Sequence, residues 1–207
     1  MKARFLIAAA LALPALSACS SLGSGERGFS SYRYVPVKRV KVGSGALSVV
    51  SPRPWNRQYG QLFRDIREVE DWTLNGPYLD GMSFVTGLKS GRYLVYQRKS
   101  EDQQVPKFRS DMTAPEIAAM LESLFRVRGG AVEFKMLSLQ PRRFLGTNGF
   151  QYDYEHLDSD ELWRKGRVVG AVVGDRLYLI LFDAARMHYY DAALPDFEAV
   201  VASAQLR

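Results

Sequence analysis

Cysteine occurs once in this chain, at Cys19, and histidine twice, at His156 and His188. A single thiol excludes an intrachain disulfide and a thiolate metal cluster. His-Glu-x-x-His, a Walker loop and Gly-x-Ser-x-Gly are absent, so none of these catalytic signatures points to a reaction. Long hydrophobic runs are also scarce. The run over residues 5–16 falls short of the about 20 residues that span a bilayer, and nothing after residue 18 is long enough. Acidic charge is in deficit, with a formal net charge of +6. That excess is not spread along the chain. Residues 1–18 carry +2 from Lys2 and Arg4. Residues 19–41 carry +4 from Arg27, Arg33, Lys38, Arg39 and Lys41 against Glu26, and residues 42–207 are neutral. A neutral folded part lacks the basic face of a nucleic-acid binder, and no nucleic-acid partner is expected. With 47% hydrophobic and 12% aromatic residues, the chain is not of disordered composition.

What is present begins at the N-terminus. Lys2 and Arg4 precede the apolar run, and small residues follow it, the layout of a secretory signal. Leu16-Ser17-Ala18-Cys19 resembles a bacterial lipobox. The resemblance implies cleavage before Cys19, a diacylglycerol on its thiol and an N-acyl chain on the new amine. Two or three acyl chains hold firmly where one is marginal. Ser20 stands where Asp signals inner-membrane retention in similar lipoproteins, which implies the outer membrane, on the periplasmic side. The alternative is an ordinary signal with Cys19 incidental.

The expected organisation is a signal peptide over 1–18, a flexible basic tether over 19–43 and one globular domain over 44–207. Ser20, Ser21, Gly23, Ser24 and Gly25 mark the tether, and its later part, around Pro36, has room for an edge strand. Lys38, Arg39 and Lys41 suit anionic headgroups or cell-wall polymer, or are simply solvated.

Residues 46–50 read as a strand stopped by Pro52 and Pro54, and 61–74 as a strand. Residues 82–97 read as a β-hairpin about Lys89-Ser90-Gly91. Helical signals are clearest over 113–127. Thr113 and Glu116 form a capping box, Pro115 sits in the first turn, and Ile117, Met120, Leu121, Leu124 and Phe125 share one face. Strands follow over 131–139, then from Phe150, after a crossing segment at Pro141 and a turn at Thr147-Asn148-Gly149. Residues 162–173 and 176–182 pair about Gly174-Asp175. The second of these is apolar on both faces, as a central strand is. A last helix spans about 188–206, starting or breaking near Pro195. Strands, a helix, more antiparallel strands and a closing helix predict an α+β fold, an antiparallel sheet with helices packed on it.

Pro52-Arg53-Pro54-Trp55 after an early strand resembles the opening of the PsbP-like superfamily. Gly149-Phe150-Gln151-Tyr152-Asp153-Tyr154 is similar to its mid-chain strand. The run from Tyr178 through Asp183-Ala184-Ala185 to Phe197 and Ser203 is similar to its closing strand and helix. The resemblance implies a PsbP-like α/β/α sandwich and a noncatalytic binding or assembly role, with an envelope protein or cell-wall component as partner.

Candidate site residues form two groups. Trp55, Tyr59, Trp72, Tyr78 and Trp163 lie near turns and suit a ligand groove, or the rim of the core. Asp153, Glu155, Asp158 and Asp160 offer oxygens for a hard cation such as calcium, without the glycine and distal glutamate of a calcium loop. His156 beside them suggests a hydrolase with Asp153 and Glu155, or a plain surface residue. His188 suits packing. No cofactor is expected beyond the lipid on Cys19. Three readings stay open: a binding module, an envelope hydrolase or cation-binding protein, and a structural tether to the cell wall.

Overall fold

The structure is a computed structural model and describes residues 32–58, 66–96 and 105–207. Cys19 and Tyr59 lie outside them. Four strands dominate: β7 (Ala131–Phe144), β8 (Thr147–Asp158), β9 (Trp163–Val173) and β10 (Arg176–Ala185). Earlier in the chain come β1 (Tyr32–Val35), β2 (Arg39–Val42), β3 (Leu47–Val50), β4 (Trp55–Gln58), β5 (Val69–Thr73) and β6 (Asp80–Lys89). The helices are α1 (Ala114–Arg128) and α2 (Tyr189–Ser203), and β11 (Gln205–Leu206) closes the chain.

The main sheet is antiparallel, in the order β1-β4-β5-β6-β10-β9-β8-β7. A small sheet, β11-β3-β2, is also antiparallel. The two-sided apolar pattern of β10 is explained by its place inside the large sheet. Leu177, Leu179 and Leu181 join the core beneath α1, and Tyr178, Ile180 and Phe182 join the core beneath α2. Ile117, Met120, Leu121, Leu124 and Phe125 form the buried stripe of α1. Its start is fixed by Glu116, whose Oε2 accepts the Thr113 N–H at 2.7 Å and its hydroxyl at 2.8 Å. Phe197 and Val200 anchor α2 with no exposed surface. Each such burial contributes about 1.5–3 kcal/mol. The small sheet adds Val42, Leu47 and Val49 to the same side. The layers are therefore α1, the large sheet, then α2 with the small sheet.

Several local expectations need correction. Residues 32–42, read as tether with room for an edge strand, contain β1, which is an edge strand of the large sheet, and also β2, so folded chain begins well before residue 44. Burial at the strand ends explains it: Val35 and Val42, each preceded by an exposed residue, are buried in the α2-side core. The hairpin over 82–97 does not form. After β6, Gly91 N–H donates to Phe108 O at 2.7 Å and Phe108 N–H to Arg92 O at 2.9 Å, so this backbone bonds to a later loop, while β6 pairs with β5 and β10. Pro141 does not begin a crossing segment. It lies within β7, an edge strand, where a missing donor faces no further strand. The turn is at Leu145-Gly146, both with positive φ (52° and 79°). Gly149 is instead a strand residue, and a Cβ there would lie 2.3 Å from Gly170 O. Pro195 sits inside α2 without breaking it. The Asp191 carbonyl that loses its usual partner belongs to an exposed residue.

Candidate functional site

Strand alternation decides which side chains meet. On β8, Phe150, Tyr152 and Tyr154 point to the α1 side, and the same period carries His156 there. His156 is 2% exposed, not a surface residue. Its ring lies 5.0 Å from that of Phe125 and is stacked at 5.9 Å on Phe134. Gln151, Asp153 and Glu155 point the other way.

At this end of the sheet a cavity of about 340 Å³ opens beside α1. Its floor comes from Asp71 on β5, Ser83 on β6, and Leu181 and Asp183 on β10. His156 and Asp158 on β8 and Arg164 on β9 form one wall. Phe125 of α1, Gly129 just after it, the Pro77-Tyr78 turn and the Ser159-Asp160 turn form the rim.

Asp183 is the hub of the wall. Its Oδ2 accepts the Tyr154 hydroxyl at 2.9 Å and His156 Nε2–H at 2.9 Å, and its Oδ1 accepts Arg164 Nε–H. Arg164 also donates to Tyr78 O at 2.7 Å, which ties the rim to the hub. His156 Nδ1 lies 2.7 Å from Asp158 Oδ1, an ion-pair contact. Burial disfavours the imidazolium, but hydrogen bonding and charge from Asp158 and Asp183 outweigh it and raise its pKa to about 9. Burial likewise disfavours the Asp183 carboxylate, and Arg164 with His156 outweighs it, lowering its pKa to about 2. At neutral pH the wall holds two carboxylates and two cations closed on each other. His156 is protonated there, so it is no general base. Among the described residues of the lining, Asp71, Asp80 and Asp160 add their carboxylates to those of the wall. Asp80 is occupied by the turn at Asn75, whose backbone and side-chain amides it accepts at 3.0 and 2.6 Å.

The acidic candidates do not converge. Asp153 faces α2, where it pairs with Arg167 at 2.6 Å and accepts from Gln151 and Ser138. Arg167 continues to Glu198 on α2 at 2.8 Å, and Arg142 meets Glu198 at 2.6 Å. Burial opposes charge on Asp153, but Arg167, Gln151 and Ser138 lower its pKa. Glu155 lies 3.7 Å from Arg186, Asp158 belongs to the cavity wall, and Asp160 accepts the Leu162 N–H at its rim. Among the described residues no group of three or more His, Cys, Asp or Glu is placed to hold a metal ion. The proposed cation set is thus divided between the two faces of the sheet. The same division separates His156 from Asp153 and Glu155.

Of the described aromatic candidates, Trp72 and Tyr78 line the cavity, and Trp55 and Trp163 do not. Trp55 and Trp72 are buried in the α2-side core, and Trp72 Nε1–H donates to Glu70 at 2.6 Å. Trp163 is partly buried beneath Arg186, 5.1 Å from its ring. Tyr78 stands at the cavity mouth as an open ring, 78% exposed. His188 is exposed at the start of α2 with φ 70°, edge-on to Tyr189. Sequence reasoning missed Asp183 and Arg164. The available signal was a carboxylate inside an otherwise apolar central strand, since such a group requires a buried partner.

No family model matches the chain, and no curated protein matches it in sequence. Solved structures do match in shape. The solution structure of cyanobacterial PsbP (CyanoP) from Synechocystis sp. PCC 6803 is similar over 91% of this chain and 100% of that one, at 14% identity and a TM-score of 0.55. The Ran-binding protein Mog1p of Saccharomyces cerevisiae is similar over 85% of this chain and 96% of that one, at 11% identity and a TM-score of 0.47. LpqN, described as involved in cell envelope biogenesis of Mycobacterium tuberculosis, is similar over 84% of this chain and 91% of that one, at 9% identity and a TM-score of 0.32. The likeness to CyanoP shows a PsbP-like α+β fold. The other two share general layout only.

Proposed function

We propose that this chain is a bacterial envelope lipoprotein, held by acyl chains on Cys19, whose domain binds a partner at the α1-side cavity without catalysing a reaction on it. The observation that carries the reading is the closed state of the cavity wall. Asp183, His156, Arg164 and Tyr154 satisfy one another, and the imidazole is held as a cation. A wall of this kind is rigid and recognises shape and charge, whereas a general base needs a free lone pair near neutral pH. Asp158 and Asp160, which line the cavity, favour a partner that presents hydrogen-bond donors or a cationic side chain. Leu16-Ser17-Ala18-Cys19 supports the anchor, and Ser20 supports the outer membrane with the domain in the periplasm. The partner is then an envelope protein or a cell-wall component. The hydrolase reading has no such support, because its three residues lie on opposite faces of the sheet.

Two measurements test the proposal. Tritiated palmitate should label the wild-type chain in cells and not Cys19→Ser, and equal labelling of both would remove the anchor. A photo-crosslinking residue at Tyr78 should give a discrete adduct in intact envelopes. The same residue at Lys135, on the far edge strand β7, should not. Absence of any adduct at Tyr78, or the same adduct from both positions, would overturn the binding role of the cavity.

A further inference from the structure

The corner between β1 and β2 is an exposed surface that the cavity does not use. Tyr34 is 64% exposed, Val37 53% and Tyr32 43%, unusual exposure for three large apolar side chains within six residues. Arg33, Lys38 and Lys41 are exposed beside them. The corner is tight, with Lys38 N–H donating to Pro36 O at 2.8 Å. β1 is the edge strand of the large sheet, paired with β4 alone among the described strands. Residues 32–58 contain six basic side chains and no acidic one. Three of the six are turned onto the domain: Arg39 to Ser203 O, Arg53 to Asp196 and Arg57 to Glu70. Arg33, Lys38 and Lys41 carry the positive charge outward.

We infer that this corner is a membrane-contact surface that lays the domain against anionic lipid headgroups. Tyrosine is suited to the headgroup level, where its ring is half apolar and its hydroxyl meets water. Basic side chains next to it are drawn to an anionic leaflet. Chain length agrees. Residues 20–31 separate Cys19 from the corner, and at about 3.5 Å per residue the chain between them spans at most ~45 Å. If Cys19 is lipidated, the corner is the first described part of the domain within reach of the bilayer. The inference rests on the proposed anchor only for where the membrane lies, because the corner's own chemistry is independent of it.

The test uses the full chain carrying Cys19→Ser, which has no thiol left to acylate. A single cysteine is then placed at Tyr34→Cys, or at Lys135→Cys on the opposite edge strand, and labelled with an environment-sensitive fluorophore. The probes are phosphatidylcholine vesicles with and without about one third phosphatidylglycerol. A blue shift is expected at position 34 with the anionic vesicles. It should be much weaker at position 135 and with phosphatidylcholine alone, and should fade as salt is raised. Each basic residue near an anionic surface accounts for about a fivefold change in affinity, so removing two through Lys38→Ser with Lys41→Ser should weaken the response about 25-fold. Circular dichroism of that variant controls for folding. The inference is overturned by no shift at position 34, by equal shifts at both positions, or by binding that ignores anionic lipid. Co-sedimentation with peptidoglycan in place of vesicles also overturns it. Palmitate labelling reads the anchor separately. A chain that takes no palmitate but answers the vesicles keeps the corner and loses the anchor, and the converse result does the reverse.

Discussion

Replacing Asp183 by Asn should be among the most damaging isosteric changes in the domain, and it should change the pH dependence of stability as well as its size. The native carboxylate is 7% exposed and receives Tyr154, His156 and Arg164. An amide keeps the shape but removes the charge. Arg164, itself 7% exposed, would retain only Asp158 at 3.7 Å as an ion partner, and His156 would keep only Asp158. Removing one member of a buried ion pair costs about 3–5 kcal/mol, a large share of the roughly 5–15 kcal/mol that holds a domain folded. The pH dependence follows from His156. Its folded pKa is about 9, above the ordinary 6.5, so its stabilising contribution is complete below pH 6.5 and is lost as pH rises through 9. That contribution is at most on the order of 3 kcal/mol, from 1.36 kcal/mol per pKa unit. Asp183 works on the other limb, since its folded pKa of about 2 lies below the ordinary 3.8. Its contribution is present above pH 3.8 and is lost as pH falls through 2. Urea unfolding followed by circular dichroism at pH 6 and pH 9 measures both effects, and the imidazole titration by NMR gives the His156 pKa directly. Wild type should be weaker at pH 9 than at pH 6. Asp183→Asn should be weaker at both, with a smaller difference between them and a lower imidazole pKa. A destabilisation below about 1 kcal/mol at pH 6 would refute the hub, because no uncompensated buried charge would then exist.

Gly149→Ala should destabilise by about 1–3 kcal/mol despite its position near a turn, because its Cβ would meet Gly170 O at 2.3 Å and Arg142 O at 3.0 Å. A thermal melt unchanged from wild type would show that β8 and β9 are spaced further apart than this. Glu198→Ala should cost about 1 kcal/mol in urea unfolding, since it removes one partner each from Arg142 and Arg167 in a partly exposed network, and the loss should shrink in high salt. Tyr78→Ala should leave stability within about 0.5 kcal/mol of wild type, as the ring is 78% exposed, while removing any crosslink that the cavity mouth makes. A large stability loss there would mean that the ring packs on the wall.

The sequence by itself determined what depends on local periodicity and on chain chemistry. Thr113, Pro115 and Glu116 announce α1 because a cap is satisfied within four residues. Gly174-Asp175 announces the β9–β10 turn because only a few residue types accept its backbone. The two-sided apolar run of β10 places that strand inside a covered sheet, and the fold class follows from the order of elements. The lone cysteine and the charge balance are properties of the chain alone. Tertiary structure decided which neighbours in sequence become neighbours in space. Asp153, Glu155, Asp158 and Asp160 look like one acidic cluster, but a strand sends alternate residues to opposite faces, and the cluster divides. His156 looks like part of that cluster, yet it is buried beneath Phe125 and bound to Asp183, 27 residues away. Trp55 and Trp72 look like a groove near turns, but the α2-side core takes both rings, and only Trp72 still borders the cavity. The hub is decided by the register of β8, β9 and β10, which sets His156 opposite Arg164 and brings Asp183 within reach of both. The Gly174-Asp175 turn sets the β9–β10 register, but the longer β8–β9 connection carries no such two-residue signal, and its register depends on how the strands pack.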